Sequence, residues 1–145
     1  MELNNVEKET KMPDSRFEPD DPFSETEIQA IERALGRDLP EDYRQFVKEY
    51  GGAFVGGYVD GKDDFSVLAF LGADEDGGIL FKLGWHSDLR EDSLLPIADC
   101  ELGNLYVLTK QNSVGFINYY EGKHTIEKVA ESFQDFVDRI VVIED

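Results

Sequence analysis

A chain of 145 residues with a formal charge of −18 and a single cysteine has the length of one domain, and it can bury roughly two thirds of its unfolded surface without a metal or disulfide staple. A field of that sign repels nucleic-acid phosphates and anionic lipid, so direct binding to either is not expected. The lone Cys100 forms no internal disulfide, no leader-like charged segment and apolar run open the chain, and no stretch reaches the ~20 apolar residues of a membrane span. A cytoplasmic protein is therefore expected.

Residues 1–22 are polar, carry Pro13, Pro19 and Pro22, and show neither helical nor strand periodicity. They read as a flexible arm ahead of a domain spanning 23–145. The pattern changes at Phe23: Ser24 and Glu27 have the spacing of a capping box, and Phe23 with Ile28 that of a hydrophobic staple. Ile28, Ile31 and Leu35 then form an apolar stripe that Gly36 ends. A second helix is written into Leu39 to Tyr50. Pro40 suits a first helical position, Tyr43, Phe46, Val47 and Tyr50 fall at i, i+3, i+4 and i+7, and Gly51-Gly52 offers a left-handed stop.

From there the period shifts from 3.6 to 2, through Ala53 to Asp60, Phe65 to Leu71, Leu94 to Ala98, Leu105 to Lys110, Val114 to Tyr120 and, after a turn at Gly122-Lys123, His124 to Val129. Short strands on short loops predict an antiparallel meander. Ile79 to Trp85 fits a buried strand or a helical turn, and is read as helix. The chain closes on a helix capped by Ser132, with Asp135 at its third position and Phe133, Phe136, Val137, Ile140 and Val141 on one stripe. The expected fold is α+β: one domain with a mostly antiparallel sheet of five to six strands, covered by two N-terminal helices and a C-terminal helix.

Side chains for catalysis are sparse. His86 and His124 lie on different elements with no second ligand at i+3 or i+4, so no metal site is expected. Cys100 sits between Asp99 and Glu101, anions that raise a thiol pKa, and reads as an inert buried cysteine. A calcium loop starting at Asp74 fails at its fifth position, which is Gly78. With 32 acids in the chain no single carboxylate pair is informative for glycosidic chemistry. Gly51, Gly52, Gly56 and Gly57 read as a helix stop and a strand bend. No phosphate loop, dinucleotide fingerprint or nucleophile elbow occurs. A non-enzymatic protein without cofactor is expected.

A recognition surface remains. Asp60 to Glu101 holds eleven acids against three bases, a local excess of −8, which would speed encounter with a basic partner. Trp85 lies in this region beside Asp88, Arg90, Glu91 and Asp92. It packs inward with Phe81 on the favoured reading, or stands out as an anchor with a polar rim on the other.

Three blocks resemble one family: Leu39-Pro40-x-x-Tyr43-x-x-Phe46-Val47 ending in Tyr50-Gly51-Gly52, Leu95-Pro96-Ile97-Ala98 followed by Gly103-Asn104, and Val129-Ala130-x-Ser132-Phe133-x-x-Phe136. In order and spacing these are similar to the SUKH superfamily, which takes in bacterial immunity proteins of polymorphic toxin systems and fungal cell-wall-synthesis regulators. The resemblance implies a domain that binds a protein, such as a basic toxin nuclease, and neutralises it without chemistry; the alternative is a regulatory module for an endogenous partner. Leu39, Pro40, Tyr43, Phe46, Gly51, Gly52, Ser132, Phe133 and Phe136 read as fold-defining. Asp74, Glu75, Asp76, Trp85, Asp88, Glu91 and Asp92, in the stretch from Asp60 to Ser93 where no family-wide pattern carries over, are the expected partner-binding residues.

Overall fold

A computed structural model describes residues 16–74, 78–101, 103–118 and 126–143. The first helix, α1 (Glu25–Leu35), starts with the expected capping box. Ser24 Oγ accepts from Glu27 N at 3.1 Å, and Glu27 Oε1 accepts from Ser24 N at 2.9 Å. Ile28, Ile31 and Leu35 are buried, and Gly36 ends the helix in the left-handed region at φ 82°.

The second helix, α2 (Glu41–Tyr50), departs from the expectation at its start and meets it at its stop. Pro40 is its N-cap, extended at ψ 151°, and not its first helical residue; its carbonyl accepts from Arg44 N at 3.0 Å, opening the helical ladder. At the other end Gly51 is not left-handed (φ −53°); Gly52 is, at φ 74°. The need for glycine at position 51 is steric, because a Cβ there would run into the Phe23 ring and the Asp21 carbonyl.

Seven strands among the described residues form one antiparallel sheet: β1 (Phe54–Val59), β2 (Lys62–Phe70), β3 (Leu95–Asp99), β4 (Leu105–Leu108), β5 (Val114–Ile117), β6 (Ile126–Ala130) and β7 (Ile140–Val142). Their order is β6-β5-β4-β3-β2-β1-β7, so the first six strands form a meander and the last returns to pair with β1. Residues 119–125, expected to end β5 and begin β6, lie outside the described residues. Pro96 is tolerated inside the sheet because β2 pairs with β3 only at Asp99 and Ala98; on its other side Pro96 faces Val107 of β4.

Three further helices complete the α+β architecture: α3 (Ile79–Trp85), as read from the sequence, α4 (Ser87–Glu91), which the sequence reading missed, and α5 (Phe133–Arg139). The closing helix is shorter than its stripe implied. Ile140 and Val141 leave it as β7, opposite Val59 and Tyr58 of β1. Gly57 makes this pairing possible, since a Cβ there would overlap the Val141 carbonyl. A hydrophobic residue two turns into a helix and one in a following edge strand carry the same apolar signal, and only the partner strand separates them.

The centre of the core is aromatic. Phe133 lies 4.9 Å from Tyr43 and 5.0 Å from Phe46, ring centroid to centroid, joining α5 to α2, while Phe70 of β2 lies 4.7 Å from Phe46. These edge-on and tilted geometries are the favoured ones for aromatic pairs. Asp42 Oδ2 accepts from Gln134 N at 3.0 Å, so a side chain of α2 caps α5 alongside its own cap, Ser132.

Residues 16–22, which sequence pattern assigned to the arm, are docked on the domain. Phe17 is only 4% exposed and packs on Phe46, Tyr50 and Phe70. Arg16 Nη1 donates to the carbonyls of Val137 (2.9 Å) and Ile140 (2.6 Å). The main chain donates from Asp21 to Gly51 and from Phe23 to Val47. Helix C-termini leave carbonyls without intrahelical donors, and this segment supplies donors to the ends of both α2 and α5. The signal was diluted by the polar residues and prolines around one phenylalanine.

Candidate functional site: an exposed aromatic pair on an acidic face

Helix α3 is a weak helix by local chemistry. Gly78 gives it no side-chain cap, and Gly84 lies inside it. Tertiary contacts hold it: Ile79 and Leu83 are buried, Ile79 N donates to the Gly72 carbonyl at 2.8 Å and Leu80 N to that of Ala73 at 3.2 Å, and the helix packs on α1 and β3. Leu89, fully buried, pins α4 in the same way.

With Ile79 and Leu83 turned inward, Phe81 and Trp85 face out. Trp85 is 74% exposed and Phe81 42% exposed, and their rings stack at 6.0 Å with an interplanar angle of 11°. The favoured inward reading of Trp85 is thus corrected: Trp85 does pair with Phe81, but on the solvent side. The signal was present in the sequence, since Ile79/Leu83 and Phe81/Trp85 are both i, i+4 pairs and a helix lying on a core can bury only one such face.

The expected partner-binding residues fall as follows. Asp74 is exposed on the turn leading into α3, where its carbonyl accepts from Phe81 N. Asp88 is half-buried on α4, and Glu91 and Asp92 are exposed at the end of that helix. One residue, His86, separates α3 from α4, so the aromatic pair and these carboxylates belong to consecutive short helices. Glu75 and Asp76 lie outside the described residues. The fold-defining residues are placed differently, in the core: Leu39, Tyr43, Phe133 and Phe136 are buried, and Phe46 packs against them.

A second acidic feature was not anticipated. Asp20, Asp21, Asp74 and Asp99 line an open pocket of about 250 Å3 with Gly72 and Gly78. Burial raises the pKa of Asp99 above the usual carboxylate range, opposed by Lys82, and its Oδ1 has no hydrogen-bond partner among the described residues. Desolvation and the charges of Glu27, Asp74 and Asp20 raise that of Asp21. The lining holds no histidine, thiol or hydroxyl to act as a nucleophile beside these acids. Among the described residues no group of three or more His, Cys, Asp or Glu side chains is placed to hold a metal ion, and no helix is long and apolar enough to cross a membrane. Cys100 is buried.

Residues 22–139 match the model of the SMI1/KNR4 family (SUKH-1). The chain belongs to that family. No curated protein matches it. Membership suggests a protein-interaction or immunity-type role, and domains of this family are generally non-enzymatic binding domains. The match opens just before Phe23 and stops at Arg139, so Arg16, Phe17 and β7 lie outside the matched segment of this SUKH-1 domain. The aromatic pair lies well inside it.

Proposed function

We propose that this protein is a cytoplasmic immunity protein that neutralises a cognate toxin domain, such as a nuclease, by direct binding and without chemistry. The observation that carries the reading is the Phe81–Trp85 stack, exposed on a helix whose other face is buried, with Asp88, Glu91 and Asp92 on and just after the helix that follows. A large aromatic held in water on an acidic chain has the composition of an interface anchor. A net charge of −18 steers the protein towards the basic cleft with which a nuclease holds phosphates, and the anchor sets how long the complex lasts.

The test is co-expression with the toxin domain encoded beside this gene. The parent protects growth. Trp85→Ala combined with Glu91→Lys and Asp92→Lys loses protection while keeping the parental melting temperature, since all three side chains are exposed. Full protection by that variant excludes the Phe81–Trp85 face as the toxin-binding surface, and a neighbouring gene whose product is not toxic overturns the immunity reading.

A further inference from the structure

Gly84 has no structural reason to be glycine. It lies in the last turn of α3, one residue from the helix end, its φ is not in the left-handed region, and among the described residues a Cβ built on it meets nothing within 4 Å. Glycine is a poorer helix former than alanine, and α3 is already short and without a side-chain cap. Gly84 stands at i+3 from Phe81 and next to Trp85, so its bare backbone borders the aromatic stack. Missing side-chain volume beside exposed rings leaves a flat strip on which another chain can lie close to the helix backbone.

The rings specify what lies there. Their near-parallel stacking leaves the outer aromatic face open to solvent. A planar guanidinium stacks on such a face, is less strongly hydrated than an ammonium, and can also pair with a carboxylate through two parallel hydrogen bonds. The exposed carboxylates of Glu91 and Asp92, at the end of the next helix, supply the charge complement.

We infer that the Phe81–Gly84–Trp85 strip of α3 is an arginine-selective docking site, on which an arginine of a basic protein partner stacks while its main chain passes over Gly84. This rests on the binding reading above and goes further, by naming the recognised group and a position, Gly84, whose role is close approach.

Trp85 is the sole tryptophan, so its emission reports the site directly. The parent is titrated at low salt with a peptide of alternating glycine and arginine and with its lysine counterpart of equal length and charge. The arginine peptide shifts Trp85 emission saturably and binds several-fold tighter than the lysine peptide. Gly84→Ala melts at a higher temperature yet binds the arginine peptide several-fold more weakly, and Trp85→Ala, followed by calorimetry, binds the two peptides alike. Equal affinity of the parent for both peptides, unmoved emission, or undiminished arginine-peptide binding by Gly84→Ala overturns the inference. The toxin assay separates this from the parent reading: equal peptide affinities with protection still lost in the Trp85→Ala, Glu91→Lys, Asp92→Lys variant remove arginine selectivity alone. Selective peptide binding together with a neighbouring gene whose product is not toxic removes immunity and leaves the docking site.

Discussion

Replacing Phe17 by alanine tests whether residues 16–22 belong to the fold. The ring is 4% exposed and meets Phe70 at 5.4 Å, Phe46 at 5.9 Å and Tyr50 at 6.0 Å, all in edge-on arrangements, with the Arg16 guanidinium 4.9 Å above its centroid. Truncating a buried phenylalanine costs about 3–5 kcal/mol when the cavity does not collapse. Here three neighbours are themselves rings locked against α5 and β2, so little collapse is available and the middle of that range, about 4 kcal/mol, is expected. At ~3 °C per kcal/mol for a domain of this size, the melting temperature falls by about 12 °C. Urea denaturation followed by far-UV circular dichroism measures the loss, to which release of the segment adds the two hydrogen bonds from Arg16 to the carbonyls of Val137 and Ile140. A loss below about 1 kcal/mol, the range of a surface substitution, refutes the docking of this segment and restores an arm through Pro22.

Two further substitutions probe buried polar atoms. Tyr43 Oη lies in the core with no hydrogen-bond partner among the described residues, and burial holds its phenol well above the usual tyrosine range; Tyr43→Phe keeps the ring contact with Phe133 and is expected to stabilise by about 1 kcal/mol, because an unpaired buried polar group costs about 1–3 kcal/mol. A loss of that size in urea denaturation contradicts it. Asp99 has a folded-state pKa raised chiefly by burial, so the fold binds its proton more tightly than the unfolded chain does. Its contribution is most favourable below the unfolded carboxylate pKa and is lost as pH rises through the folded value. Asp99→Asn is therefore more stable than the parent at pH 7, by a margin that shrinks towards pH 4, whereas Glu101→Gln, which neutralises an exposed acid on an equally acidic chain, gives a smaller gain. Equal gains from the two, measured by thermal melts across that range, refute the role of burial.

Sequence alone determined the elements whose signals are local. The capping box of Ser24 and Glu27, the stripes of α1 and α2 and the Ser132 cap need no distant partner, because hydrogen bonds and apolar spacing within a few residues suffice to specify a helix end and its buried face. The antiparallel meander followed from alternation and short loops, and the family from motif residues that the structure places in the core.

Tertiary structure decided what depends on a second surface. Ile140 and Val141 are strand, not helix, because β1 offers an unpaired edge cleared by Gly57. Phe17 is core, not arm, because α2 and β2 leave a ring-sized place for it, and the carbonyls of Val137 and Ile140 accept from the adjoining Arg16. Trp85 faces water because α1 and β3 take the opposite side of α3. In each case the residue's own chemistry allowed either outcome, and the free energy that chose between them came from a partner far away in sequence, which no local pattern encodes.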